Sequence, residues 1–188
     1  MKDEEFLKKD KIIACILSIM VLASELVFGY YFAFVKKAFP GDSLSRTANA
    51  FYVFFIEPPH LGAIGFVWNP LPSLLQLPLV LFYPIFKGMV TNGYAGTIVT
   101  AAFSALTCSA IYMNYRKARV SIFGSIVITL LFCFNPYIFV YGLNGMSEAI
   151  FFYFILCITI SFTNWEDDPT KVNNLIKISI FLALAFLT

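Results

Sequence analysis

Long runs of apolar residues, separated by short polar breaks, dominate the chain. A helix needs about 20 such residues to cross the hydrocarbon core of a membrane. The runs that reach or approach this length are residues 12–35, 93–113, 120–141, 147–163 and 175–188. This pattern predicts an all-α fold, a polytopic bundle of transmembrane helices with about five spans. We expect the fifth span to be incomplete and residues 1–188 to form a single transmembrane unit.

A further apolar run, residues 70–86, is interrupted by prolines. They are Pro70, Pro72, Pro78 and Pro84. Proline removes backbone donors, and each unpaired backbone group is costly in lipid. We therefore predict that this run does not cross the membrane. It then belongs to a long outer loop, residues 36–92, between the first two spans.

The positions of lysine and arginine favour the same topology, because cytoplasmic loops are enriched in both. If residues 70–86 do not cross and the N-terminus is cytoplasmic, nine basic residues lie inside: Lys2, Lys8, Lys9, Lys11, Arg116, Lys117, Arg119, Lys171 and Lys177. The four outside are Lys36, Lys37, Arg46 and Lys87. If the run crosses, the count becomes five inside and eight outside. We expect a multi-pass protein of the cell membrane with a cytoplasmic N-terminus.

Two segments of the outer loop have the character of juxtamembrane helices. In residues 43–55 the apolar positions recur at helical spacing at Leu44, Ala48, Phe51 and Phe55. The opposite face carries Ser45, Arg46 and Asn49. This is typical of an amphipathic helix that lies on the membrane. Residues 70–86 predict a second helix, which either dips into the outer leaflet or packs on the bundle.

The amino-acid composition indicates that the chain folds in lipid, and it argues against several other classes of protein. Of the 188 residues, 60% are hydrophobic and 13% are charged, about half the charged fraction of ordinary soluble domains. A formal net charge of +2, carried by scattered residues, does not favour a nucleic-acid partner. The four cysteines lie inside apolar runs without a CxxC pair, and there is one histidine. Neither a disulfide framework nor a zinc site is predicted.

Two acids on the predicted outer side are the main candidates for chemistry. Asp42 precedes a predicted helix, so it either caps that helix or stands at the membrane surface near a lipid headgroup. Glu148 opens the fourth span, where it either complements the helix dipole or joins a site. In the adopted topology both acids face the same compartment. If residues 70–86 crossed, they would lie on opposite sides.

Two other acids are less clear. Glu57, in a loop rich in proline and glycine, is either a second acid of the same site or loop surface. Glu25 lies inside the first span, where an acid costs about 3 kcal/mol and by default faces the bundle or a water-filled cavity. We favour a structural hydrogen bond from Glu25 to a neighbouring helix.

The order of these features resembles the N-terminal part of the GT-C superfamily. Its members are integral membrane glycosyltransferases that use polyprenyl-phosphate sugars, such as protein O-mannosyltransferases and lipid A aminoarabinose transferases. The resemblance rests on "GDSLSR" after the first span, the run "PLPSLLQLPLVLFYPIFKG", the basic "RKAR", and "NPYIFVYGLNG" followed by "GMSEA". It covers nearly all of this chain and about the first third of a typical member.

The resemblance implies an activity and a set of residues. Asp42 matches the aspartate that acts as catalytic base or positions the acceptor, and Glu148 matches a second acid after the third span. Many members have two adjacent acids where this chain has Asp42 alone. The implied reaction is an inverting transfer from a polyprenyl-phosphate donor, whose phosphate would need a cation such as Arg46 or Lys87. No resident cofactor is implied, and the need for a divalent metal stays open.

Other interpretations remain. A transporter or channel subunit would use Glu25 and the proline-broken run as elements of a pathway. The third interpretation, besides a glycosyltransferase and a transporter or channel subunit, is a non-catalytic membrane remnant. We expect membrane lipids as partners, and further C-terminal spans or a partner subunit, because small-residue packing motifs are few.

Overall fold

The computed structural model describes residues 2–38, 40–65 and 68–188, with side chains described from Lys8 onward. Over these residues the fold is all-α, as the sequence predicts. The helices are α1 (Lys2–Tyr30), α2 (Gly41–Phe55), α3 (Leu71–Val80), α4 (Gly88–Thr91), α5 (Tyr94–Lys117), α6 (Ile122–Cys133), α7 (Pro136–Leu143), α8 (Glu148–Asp167) and α9 (Val172–Phe186). A π-helical segment, Tyr31–Lys36, extends α1, and a 3-10 turn, Leu61–Ile64, follows α2.

In the described part of the chain, three helices are long and apolar enough to cross a membrane. They are Lys8–Lys36, Tyr94–Lys117 and Glu148–Asp167, and α6 with α7 makes a fourth if the bent pair is one span. Large apolar side chains such as Ile16, Val27 and Leu131 remain exposed on these helices, as lipid-facing surfaces require. The lengths and composition suggest a multi-pass membrane protein. At 15 residues, α9 is shorter than a span.

Helices α1 and α5 form an antiparallel central pair. The bonds that join these helices and their adjoining residues include Asn92 Nδ2 to the Ala33 carbonyl at 3.0 Å, Ser18 Oγ to the Ala105 carbonyl at 2.9 Å, and Arg116 Nε to Asp10 Oδ1 at 3.0 Å. We call the two ends of the bundle the Asn92 end and the Arg116 end. Because Asn92 touches Ala33, the segment that joins α1 to α5 leaves and returns at the Asn92 end.

The proline-rich run forms a short helix against the bundle. α3 has ten residues, which is about 15 Å, half of a hydrocarbon core. Leu71, Leu75 and Leu79 pack with Val99 of α5 in an apolar cluster. Thr47 Oγ1 of α2 donates to Gln76 Oε1 of α3 at 2.7 Å. These contacts fix α2 and α3 as a pair beside the first half of α5.

The third apolar run is not the single straight span that the sequence predicts over residues 120–141. It is broken into α6 and α7, which meet at a 65° bend. Pro136 lacks a backbone donor and disfavours helical geometry at the residue before it. Asn135 instead begins a new helix, its side chain accepting a bond from the Tyr137 amide at 3.1 Å. The bend turns α7 toward α5.

Candidate functional site

The first turn of α2 carries the acid that the sequence singled out. α2 begins at Gly41 after Pro40, so Asp42 lies within the first turn, and its interpretation as the residue before the helix is wrong. A negative charge in this turn is favoured by the helix dipole. Asp42 is half-buried, and no hydrogen bond to a described residue holds its carboxylate. Both oxygens are therefore free to accept a proton or a bond.

One turn further along α2, Arg46 points into the protein. The residue is 6% exposed, and its Nε and Nη1 atoms have no hydrogen-bond partner among the described residues. Its Cζ atom lies 5.5 Å from the centroid of the Trp68 ring, within the range of a cation–π contact. Leaving guanidinium donors unpaired is costly in a buried position. The position therefore suits an anionic group that can accept from both atoms.

Both candidate acids act on this guanidinium. Burial lowers the pKa of Arg46, and the negative charges of Glu148 and Asp42 oppose that effect. Arginine remains charged in any case. Glu148 opens α8, and its Oε2 is buried without a hydrogen-bond partner among described residues. The structure thus brings together Asp42, Arg46 and Glu148, which we call the acid–guanidinium cluster.

Glycines allow the α7–α8 turn to approach α2 and α5. A Cβ on Gly145 would lie 2.3 Å from Ser43 Oγ, and a Cβ on Gly96 would lie 3.2 Å from Gly145 Cα. Gly145 also has a φ of +72°, which glycine adopts most easily. This three-way contact sets the start of α8, and with it Glu148, beside the first turns of α2.

Threonines of α5 anchor the end of α7. Thr100 Oγ1 donates to the Gly142 carbonyl at 2.8 Å, and Thr97 Oγ1 donates to the Leu143 carbonyl at 3.0 Å. Carbonyls in the last turn of a helix lack intrahelical partners, so these bonds satisfy groups that would otherwise be buried unpaired. Sequence reasoning missed both threonines, since a threonine in an apolar run gives no sign of which neighbouring backbone it meets.

A cavity opens beside the cluster at the Asn92 end. Its volume is about 380 Å³. Its lining includes Phe32, Ala33, Ser43, Thr97, Val140 and Asn144. Phe32 and Val140 are exposed apolar residues of candidate membrane helices, so the cavity borders the lipid-facing surface. Ser43 follows Asp42 directly in α2, so the cavity reaches the turn that carries Asp42, although Asp42, Arg46 and Glu148 do not line it.

The other predicted site residues lie elsewhere. Glu57 is exposed just beyond the far end of α2, about 20 Å along the helix axis from Asp42. Lys87 is exposed at the start of α4, where the adjoining Gly88 packs against Phe34. No described contact links either residue to the acid–guanidinium cluster.

Glu25 forms a separate buried site. Ser104 Oγ of α5 donates to Glu25 Oε1 at 2.7 Å, which confirms the predicted hydrogen bond to a neighbouring helix. The residue is 0% exposed, and its carboxylate lies directly against Gly142 of α7.

The cluster combines a fixed buried cation with two acids, one of which, Asp42, keeps both oxygens free. Such a set can bind an anion at Arg46 and accept a proton at Asp42. Over the described residues, no group of three or more His, Cys, Asp or Glu side chains is placed to hold a metal ion. No protein-family model, curated protein or solved structure matches the chain.

Proposed function

We propose that the chain is the membrane-embedded N-terminal part of a glycosyltransferase that moves a sugar from a polyprenyl phosphate to an acceptor at the extracytoplasmic face. The observation that carries this proposal is the approach of Asp42 and Glu148 to the buried Arg46 at one end of the bundle. The resemblance to the GT-C superfamily supplies the reaction class. The cavity that borders the lipid-facing surface fits a donor that arrives from the membrane.

In the proposed reaction, an acceptor hydroxyl or amine attacks the anomeric carbon of the donor sugar. The new bond joins that carbon to the acceptor, and the bond from the carbon to the phosphate oxygen breaks. Asp42 takes the proton from the acceptor, which general-base catalysis requires to be within hydrogen-bond reach. Arg46 compensates the charge of the departing polyprenyl phosphate through Nε and Nη1.

Glu148 has a supporting role in this scheme. Its negative charge acts on Arg46 together with that of Asp42, and we assign it to balancing the guanidinium charge while Asp42 serves the acceptor. The phosphate is assigned to Arg46 before Lys87, because Arg46 has free donors in a buried setting, whereas Lys87 is exposed. Glu57 takes no part in the scheme.

The proposed orientation has the N-terminus and the Arg116 end in the cytoplasm. The Asn92 end then faces outward with α2, α3 and α4. In a variant lacking the four native cysteines, we expect Lys87→Cys to react with a membrane-impermeant maleimide in intact cells. Lys117→Cys is expected to react only after permeabilisation. The reverse labelling of the two exposed positions would overturn the orientation.

The catalytic assignment predicts that Asp42→Asn lowers sugar transfer by at least about 100-fold, the usual contribution of a general base. The assay uses membranes of the full-length protein with radiolabelled polyprenyl-phosphate sugars, including mannosyl and aminoarabinosyl donors. Membrane insertion is checked by protease protection. Glu57→Gln, a matched change at an exposed acid, is expected to leave transfer unchanged. Full transfer by Asp42→Asn would remove Asp42 from the mechanism.

A transporter subunit is the second candidate function, because a buried acid, Glu25, lies against a bent helix pair. Buried acids and broken helices mark transport pathways. This alternative predicts that Glu25→Gln removes the activity and that Asp42→Asn does not, the opposite of the outcome expected for sugar transfer.

A further inference from the structure

A stripe of buried polar side chains runs between α1, α5 and α6, away from the acid–guanidinium cluster. On α5 it recurs every four residues, at Thr100, Ser104, Cys108, Tyr112 and Arg116, none of them more than 9% exposed. On α6 it continues at Ser125, Thr129 and Cys133, none more than 1% exposed. Cys108 and Cys133 belong to one packed cluster, so the two rows face each other. We call these eight residues the polar stripe.

Three buried oxygen atoms along the stripe have no hydrogen-bond partner in the described part of the chain. They are Glu25 Oε2, Ser125 Oγ and Thr129 Oγ1, and all three residues are 0% exposed. Buried polar groups of native proteins are nearly always paired, and each exception calls for a reason. Hydrogen bonding between helices explains a stripe whose hydroxyls all have partners. It does not explain three unpartnered oxygens.

Glu25 is the costliest of the three. Ser104 Oγ satisfies Oε1 alone. The titratable groups that act on the carboxyl are the thiols of Cys108 from α5 and Cys133 from α6, and from α7 the backbone of Gly142 lies against it. None of these supplies a positive charge. A buried carboxylate without a counter-charge costs several kcal/mol, so the carboxyl must hold either a proton or a cation.

The surroundings favour a proton. A hard cation such as Ca²⁺ takes about six to eight oxygen ligands, and beside the carboxyl the described residues provide one side-chain oxygen, that of Ser104. A proton needs a single acceptor, and Oε2 is available. Gly142 closes the remaining side so tightly that a Cβ there would lie 2.1 Å from Oε1.

We infer that Glu25 binds an exchangeable proton, which travels between it and the Arg116 end along the polar stripe. Four residues along each helix from the Cys108–Cys133 contact, Tyr112 of α5 lies level with Thr129 of α6. Four residues further, Arg116 lies level with Ser125. Each step of four residues rises about 6 Å, so the proposed transfer requires a water to bridge successive side chains. At the far end Tyr112 donates to Asp10 Oδ1 at 3.1 Å.

The transfer involves no redox step. A hydronium ion at the Arg116 end gives up one proton, the hydroxyls and thiols of the polar stripe pass it on, and the Glu25 carboxylate becomes a carboxylic acid. Reversal returns the proton to water. The site does not depend on sugar transfer, because neither Asp42 nor Arg46 belongs to it.

Infrared spectroscopy of the full chain in lipid vesicles tests the site itself. We expect a carbonyl-stretch band of a protonated carboxyl that shifts in D₂O and is missing in Glu25→Gln. The D₂O shift is measured on the unaltered chain, and a shifted band that persists in Glu25→Gln would belong to another carboxyl and overturn the inference. A band that is absent at neutral pH in sodium buffer and appears when sodium is replaced by choline would show a cation site and overturn the inference.

The rate of the D₂O shift tests the route. Thr129→Val is expected to slow it about tenfold, the effect of losing one hydrogen bond of roughly 1.4 kcal/mol from the transfer barrier. Ser125→Ala is expected to act in the same direction. Thr107→Val is the matched control, because the Thr107 hydroxyl is bonded to the Phe103 carbonyl outside the stripe. Equal rates in all three variants would contradict the route.

Discussion

Replacing Arg46 with methionine is expected to lower the free energy of unfolding by about 3 kcal/mol, because it removes a buried positive charge and leaves a neighbouring carboxylate without compensation. The side chain is 6% exposed and is the positive charge on which Glu148 and Asp42 act. Without it, Glu148 Oε2 stays buried with neither a hydrogen bond nor a counter-charge. Methionine keeps most of the volume, so the loss reports charge and not packing.

A double-mutant cycle separates this effect from a general defect. Glu148→Gln alone leaves Arg46 with the charge of Asp42 to oppose its burial, whereas Arg46→Met with Glu148→Gln removes both members of the pair under test. We expect the double variant to recover at least about 1 kcal/mol relative to the sum of the singles, as groups coupled through their charges do. The measurement is reversible unfolding in mixed micelles. The control is Ser45→Ala, at an exposed position on the same helix. If the two losses of unfolding free energy simply add in the double variant, Arg46 and Glu148 do not interact.

The spans were predictable because lipid imposes a length on any helix that crosses it. The predicted run 12–35 became the candidate span Lys8–Lys36, and 93–113 became Tyr94–Lys117. The bend at Asn135 was not predicted, because hydropathy is insensitive to a proline inside an unbroken apolar run. Its position still followed local rules, since an Asn–Pro pair is a good start for a new helix.

The sequence predicted which residues could share the site, but detailed proximity followed only where it depends on spacing along one helix. Asp42 and Arg46 are four residues apart, so a helical pattern alone puts them on one face. The same geometry could have excluded Glu57, which lies 15 residues from Asp42 at the far end of that helix. The approach of Glu148 depends on the α7–α8 turn and on backbone contact at Gly145. Contacts between segments distant in sequence leave no local signal.

Gly145→Ala is expected to lower the free energy of unfolding by about 3 kcal/mol, from two separable causes. An alanine at φ +72° costs about 1–2 kcal/mol in backbone strain. Its Cβ would also lie 2.3 Å from Ser43 Oγ, and such overpacking costs about 1–3 kcal/mol. The Glu148 end of α8 would be displaced from Arg46, so the coupling energy of the Arg46–Glu148 cycle is expected to fall in the same variant.

Two other glycines separate these causes. Gly65 has a φ of +70° with no atom within 4 Å of an added Cβ, so Gly65→Ala measures strain alone. Gly142 has ordinary φ, but its Cβ would lie 2.1 Å from Glu25 Oε1, so Gly142→Ala measures the clash alone. Adding Ser43→Ala to Gly145→Ala removes the clashing oxygen and is expected to leave a loss close to that of Gly65→Ala. If Gly145→Ala costs no more than Gly65→Ala, α2 and the α7–α8 turn are not in close contact, and Glu148 is not held beside Arg46 by this turn.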